Sequence, residues 1–332
     1  MILRFSIILL LGLSAGLAWA WQDYQAFVNR PIVVEKPLIL DVVKGSSFRG
    51  IINRLSYQTP RVHSIWFRVL AHQEGMATRL KAGEYELPVG LKPKEFLLLL
   101  SKGQTRKYTI TFPEGWTFKQ LRQALAVDKN LKLTLAKLSD ADILQKIGSE
   151  YTHPEGLFFP DTYQYEKGEI DLAILQRAYQ KMQGILAVQW ANKMEGLPLT
   201  TAYEALILAS IVEKETGNPS ERPIIAGVFI RRLKKGMRLQ TDPTVIYGMG
   251  ENYQGNIRKK DLRELTAYNT YRIMGLPPTP IAMPGEEAIN AVLHPAQDNS
   301  LYFVAKGNGS HIFSATLADH NRAVDTFQRK RK

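Results

Sequence analysis

The densest chemistry in the chain is Glu213-Lys214-Glu215, at the end of an apolar run. Thr201 with Glu204 reads as a capping box, and Ala205-Leu-Ile-Leu-Ala-Ser-Ile-Val212 follows as an almost wholly apolar helix. Gly217-Asn218-Pro219 stops it. A helix apolar nearly all round is a buried one. At about 100° per residue, Leu206, Ile207, Leu208, Ile211 and Val212 sum to one direction, and Glu215 projects close to it. Glu213 projects almost opposite, while Ser210 and Lys214 share a third, polar stripe that is expected to be solvated. Burial and the negative end of the helix dipole both disfavour a charged Glu215. A carboxyl kept protonated near neutrality is what a general acid for glycosidic cleavage requires. The alternative is an ion pair with Arg222, Arg231 or Arg232, which would make Glu215 structural. A Ser–Lys amidase built on Ser210 and Lys214 is a rival from another class, and a scaffold that only binds glycan is a third.

Polar and aromatic tracts follow. Leu239-Gln240-Thr241-Asp242-Pro243-Thr244-Val245-Ile246-Tyr247-Gly248 and Tyr268-Asn269-Thr270-Tyr271 could contact a sugar, although turn chemistry explains many of the same residues. Upstream, His153-Pro-Glu-Gly-Leu-Phe-Phe-Pro-Asp-Thr-Tyr163 sets aromatic faces beside carboxylates, either as a sugar-binding loop or as one buried by its own aromatics. The basic helix around Arg231 and Arg232 reads as a solvated face. Metal and cofactor chemistry finds no support: Cys is absent, and the six His include no pair at i,i+4. No P-loop or dinucleotide fingerprint occurs.

These residues need elements to hold them. The 332 residues suggest two folded units, and 45% hydrophobic with 22% charged is an ordinary globular composition. After Arg4, eighteen residues pass without a charge, close to the ~20 that span a bilayer. One basic residue precedes the run, so the N-terminus is expected to be cytoplasmic and the remainder exported, with Trp19 and Trp21 at the far interface. A cleaved signal ending at Ala18-Trp19-Ala20 is the alternative. Export makes nucleic acid a poor partner despite a net charge of +12. The basic helix and the tail Arg329-Lys-Arg-Lys332 are instead expected to draw the protein to an anionic surface.

Three segments beginning at Gly45, Gly90 and Gly115 share a pattern, each with an apolar residue six positions on and a Leu ten on. Strand-like stretches at Leu38 to Val43, Tyr85 to Val89 and Tyr108 to Phe112 precede them, and Ser47 and Thr117 look like N-caps. The unit is strand, Gly turn, short helix: a LysM-like carbohydrate module, or generic α+β punctuation. Residues 130–150 read as helical. No long βαβ series appears, so the fold is expected to be α+β.

Taken together, Ala209-Ser-Ile-Val-Glu-Lys-Glu-Thr216, Glu221-Arg222 and Gly236-Met-Arg-Leu-Gln-Thr-Asp-Pro-Thr-Val-Ile-Tyr-Gly-Met-Gly250 resemble the YceG-like family. Tyr268-Asn-Thr-Tyr271, Gly275-Leu-Pro-Pro278, His294-Pro295 and Leu301-Tyr-Phe-Val304 continue the resemblance. It implies a transmembrane anchor at 1–22, a LysM-like membrane-proximal module at 23–106 and a larger α+β catalytic domain at 107–332. That domain would be periplasmic, on a single-pass protein of the inner membrane. The implied activity is lytic cleavage of the β-1,4 bond between N-acetylmuramic acid and N-acetylglucosamine within nascent glycan strands, limiting strand length. The family's catalytic Glu falls on Glu215, which would protonate the leaving oxygen and then take the proton of the muramyl O6 hydroxyl, leaving a 1,6-anhydro end. No cofactor or metal is implied. Gln240, Asp242, Tyr247, Asn269 and Tyr271 are the expected sugar-positioning residues, and peptidoglycan synthases (penicillin-binding proteins) the expected partners beside the glycan itself. N-terminal sequencing of protein purified from membranes should recover the segment before Trp21; a mature end at Trp21 would mean that the segment is a cleaved signal.

Overall fold

The computed structural model describes residues 2–329; of the basic tail Arg329–Lys332 only the Arg329 backbone falls within it, so the role expected of that tail lies outside the described residues. Two compact units divide the chain, one of Met1–Tyr108 with Gln164–Gly168, the other of Thr109–Tyr163 with Glu169–Lys332.

In the first unit, α1 (Ile2–Asn29) is apolar and long enough to cross a membrane over Phe5–Asn29. Its side chains from Phe5 to Leu17 lie exposed, yet Tyr24 and Phe27, two turns on, are buried in the core of the unit. Trp66 Nε1 donates to Asp23 Oδ2 at 2.7 Å, and Phe27 meets Phe67 edge to face at 5.0 Å. The chain continues through β1 (Leu38–Val42), α2 (Phe48–Ser56), α3 (Ser64–Gln73), β2 (Gly83–Leu87) and α4 (Pro93–Lys102). β1 and β2 run antiparallel, with Leu38 opposite Leu87 and Val42 opposite Gly83. Inward residues of both strands, Leu40 and Tyr85, meet Leu55, Phe67, Phe96 and Leu100 from the helices. Ser47 accepts from the Gly50 N–H and so starts α2, as its sequence position suggests.

β3 (Lys107–Thr111) pairs with β4 (Thr162–Glu166), and between them lie α5 (Phe118–Val127) and α6 (Asp140–Lys146). Thr117 and Gln120 cap α5 reciprocally. The three Gly-led segments thus do each place a strand before a helix, but they are not stacked repeats: α3 interrupts the first pair, and β3 takes a distant partner. Residues 130–150 hold only a short 3-10 turn and α6.

The second unit adds α7 (Asp171–Ala191), α8 (Ala202–Glu215), α9 (Arg222–Lys234), α10 (Asp242–Met249), α11 (Glu286–Leu293), the hairpin β5 (Tyr302–Ala305) and β6 (His311–Ser314), and α12 (Leu317–Val324). Its centre is α8, with every residue from Ala205 to Val212 buried and with α7, α9 and α11 packed against it. One alternative left open by the sequence is settled here, and one reading is corrected. Leu157, Phe158 and Phe159 are core, Phe158 stacking on Phe118 at 5.1 Å, so they offer no free face to a sugar. Arg231 and Arg232 are not a solvated face: Arg231 pairs with Asp298, and Arg232 is buried with its guanidinium on the Leu301, Arg238 and Leu239 carbonyls. Both clamp the segments around β5, which an exposed cation cannot do.

One buried charge in the first unit is testable. Glu84 of β2, 5% exposed, takes hydrogen bonds from Lys167 and from the Tyr108 hydroxyl. Burial pushes its carboxyl up, but those two bonds together with the charges of Lys167 and Arg106 outweigh it and hold the group below its usual value. The stability it contributes is therefore present above the ordinary carboxylate range and lost as pH falls through the folded value. Glu84→Ala should lower stability by about 2 kcal/mol, most clearly at neutral pH and less in acid, read by thermal melts.

Candidate active site

α8 ends where its sequence turns from apolar to charged. Thr201 caps its start, accepting from the Glu204 N–H at 3.1 Å, while Glu204 reaches back to the Thr200 N–H rather than to Thr201. At the other end Glu215 is the last helical residue, half-buried, facing a cavity of about 450 Å³. No Arg pairs with it among the described residues. The Thr241 hydroxyl donates to Glu215 Oε1. Thr241 is itself set by a buried network: its N–H bonds Thr270 Oγ1 at 3.0 Å, and its carbonyl accepts from Thr244 Oγ1 at 2.8 Å. Burial pushes the Glu215 carboxyl up to about 7; the Thr241 bond and the charge of His311 pull against it, and Asp242 adds to it. The group is therefore poised between acid and base near neutrality.

The same cavity is lined by Gln240, Asp242 and Tyr271, so four of the six expected residues come together. Asp242 opens α10, where the helix dipole favours an anion, and its Oδ1 accepts from the Tyr271 hydroxyl at 2.7 Å. Gln240 has φ 54°, the left-handed region that non-glycine residues rarely enter. It stays there because its N–H bonds the Thr270 carbonyl at 3.2 Å and Arg232 reaches its side-chain oxygen.

The other two lie elsewhere. Asn269 is 1% exposed, its amide donating to the Asp261 and Glu264 carbonyls and its oxygen accepting from the Tyr271 N–H, so it shapes the loop that presents Tyr271 and has no surface for a sugar. Tyr247 sits on a different cavity, of about 610 Å³, donating to Glu155 Oε2 at 3.1 Å. Glu155 is buried, also accepts from the Phe118 N–H that opens α5, and is pushed by burial up to about 7.

The other face of α8 differs from expectation. Glu213 does project away from Glu215, but its side chain is only 6% exposed: Arg222 pairs with it at 3.3 Å, and the Gly285 N–H donates to it at 3.0 Å. Arg222, considered above as a partner for Glu215, is thus committed to Glu213, Glu114 and Glu287. Ser210 is fully buried rather than solvated, donating to the Ile207 carbonyl and accepting from the Ile281 N–H. Lys214 donates to the Gly115 carbonyl, so the two form no nucleophile–base pair.

Sequence reasoning missed the far wall. Tyr302 and His320 stack at 5.3 Å, Arg232 lies 5.2 Å over the Tyr302 ring, and His311 completes the lining. Tyr302 belongs to a quoted motif, and His311 and His320 fall nine residues apart, but neither fact signals a cavity until the β5–β6 hairpin folds.

The raised carboxyls make a pH prediction. Between the ordinary value and about 7 the folded state holds protons on Glu155 and Glu215 that the unfolded chain has lost, so stability falls as pH rises through that window. Glu155→Gln should therefore raise the melting temperature at pH 8 by about 4 °C and change it little at pH 5.

The comparisons agree over nearly the whole chain. The model of the YceG-like family matches residues 40–326. An endolytic murein transglycosylase of Bacillus subtilis is 32% identical over 305 residues, covering 87% of this chain and 84% of that protein. One of Streptococcus pneumoniae is 28% identical over 361 residues; they cover 97% of this chain, which spans 64% of the relative's length. The crystal structure of a YceG-like protein from Listeria monocytogenes superposes with a TM-score of 0.52 at 28% identity, covering 87% of this chain and all of that one.

Proposed function

The chain belongs to the YceG-like family, and we propose that it is an endolytic murein transglycosylase with Glu215 as its acid and base. The observation that carries this reading is a carboxyl at the end of a buried helix, held near 7, opening on a cavity and touched by one hydroxyl. The named relatives supply the substrate class, murein.

The chemistry follows from one carboxyl. Glu215, protonated, gives its proton to the glycosidic oxygen as the bond from the muramyl C1 breaks. The muramyl O6 attacks C1, and the Glu215 carboxylate takes the O6 proton, which restores the acid and leaves a 1,6-anhydro end. Attack from within the same sugar benefits from a high effective concentration. Gln240, Asp242 and Tyr271 would position the sugars. A second reading has a specific support: Asp242 lines the same cavity, and a pair of carboxylates is what an ordinary glycosidase uses. Its carboxylate is already engaged by Tyr271, which favours the positioning role.

Residues 107–332 would form the catalytic domain, on the far side of the membrane from a cytoplasmic N-terminus, and 23–106 the LysM-like module. The apolar helix would be an anchor holding both where new strands emerge, beside the synthases that make them.

Mass spectrometry of digested glycan separates the readings: anhydro ends support the transglycosylase, reducing ends a hydrolase, and intact strands a binding scaffold. Glu215→Gln should keep the fold and lose about 10²–10⁴-fold in cleavage rate. Glu213→Gln removes one of the acidic partners of Arg222 and should cost activity only in step with a lowered melting temperature. An active Glu215→Gln protein would defeat the assignment.

A further inference from the structure

His311 opens β6, and Glu221, just before α9, fixes it twice. The His311 N–H donates to Glu221 Oε1 at 2.9 Å, and Nδ1 lies 2.7 Å from Glu221 Oε2. Glu221 is buried and takes no part in lining the cavity, whereas His311 lines it together with Glu215. A carboxylate on Nδ1 sets that nitrogen as the ring's donor and fixes the plane of the imidazole. Nε2 takes no part in either bond to Glu221. The pair is an ion pair whenever the ring is protonated.

We propose that His311, oriented by Glu221, is a positioning residue for Glu215, its ring stabilising the carboxylate that Glu215 becomes between its two proton transfers. This rests on Glu215 being the acid and base. The C1 bond to the leaving oxygen breaks, the bond from O6 to C1 forms, one proton passes from Glu215 to the leaving oxygen, and one returns from O6 to Glu215. In the interval an anion occupies a partly buried helix end with Asp242 beside it, and both circumstances are unfavourable. Thr241 supplies one hydroxyl hydrogen, and the His311 ring, when it carries a proton on both nitrogens, supplies the opposing charge. A pair needed only to tie β6 to the start of α9 would have no reason to put its imidazole in the cavity wall.

The other charged and titratable groups around this site are Asp242, Tyr271, Arg232 and His320 on the cavity, with Lys306 acting on Glu221; all survive the test variants. The experiment is the pH–rate profile of strand cleavage by the full-length protein in detergent, on uncrosslinked glycan. Loss of a positive charge lets Glu215 keep its proton to higher pH, so in His311→Gln the alkaline limb should move up, with kcat near neutrality down about tenfold and KM within about twofold. Glu221→Gln should move the limb in the same direction by less. A folded His311→Gln protein with an unmoved limb overturns the proposal, even if its kcat and melting temperature fall together. Should His311→Gln not fold, Glu221→Gln decides in its place, an unmoved limb again overturning it. The test is distinct from that of the activity itself: an active Glu215→Gln protein defeats the catalytic assignment, whereas an inactive one beside an unshifted His311→Gln profile defeats this inference alone.

Discussion

The rest of the second unit is arranged around one electrostatic difficulty, a carboxyl at the end of a helix whose residues from Ala205 to Val212 are all buried. Water cannot solvate the Glu215 anion freely there, and the backbone carbonyls of the last turn repel it. The structure neither abolishes that penalty with a salt bridge nor leaves it uncompensated. Arg222, near in sequence, is held off by three other carboxylates, and Glu215 receives one hydroxyl bond instead. A full ion pair would have made the group a permanent anion; no compensation would have made it a permanent acid. The Thr241–Thr244–Thr270 network exists to keep that single hydroxyl in place, and Gln240 accepts an unfavourable backbone conformation next to it.

The two glutamates of α8 show how one helix serves two masters. Glu213 and Glu215 are about 200° apart and meet opposite environments. Glu213 joins a buried ionic cluster with Arg222 that ties α8 to the starts of α9 and α11, a cluster costly to break by removing one member. Glu215 faces the cavity. The separation lets the ionic cluster and the cavity-facing carboxyl be adjusted independently on one rigid element, whose position the packing of α7, α9 and α11 determines.

Legibility in the sequence followed the range of the interactions involved. Helical periodicity is local, so the direction of Glu215 and the caps at Ser47, Thr117 and Thr201 could be read directly. Burial of Glu213 and Ser210 could not, because the partners that cover them, Arg222, Gly285 and Ile281, arrive from elsewhere in the chain. Asn269 had the right chemistry for a sugar contact and the wrong destination: its amide closes its own loop. The wall of Tyr302, His311 and His320 had no local signature at all, since it forms only when a hairpin and a helix near the C-terminus close over the end of α8.

The continuity of α1 has a mechanical consequence. Asp23, Tyr24 and Phe27 dock into the first unit on the same uninterrupted helix that carries the apolar stretch, with no Gly or Pro between Trp21 and Asn29 to act as a swivel. For a span seated in a bilayer, this makes the stand-off between lipid and the first unit a fixed length, only a turn or two of helix at about 1.5 Å per residue. The unit would ride on the membrane like a float on a stiff mast, not a flexible tether. Lateral diffusion could carry it along the surface, but its distance from the lipid would stay the same.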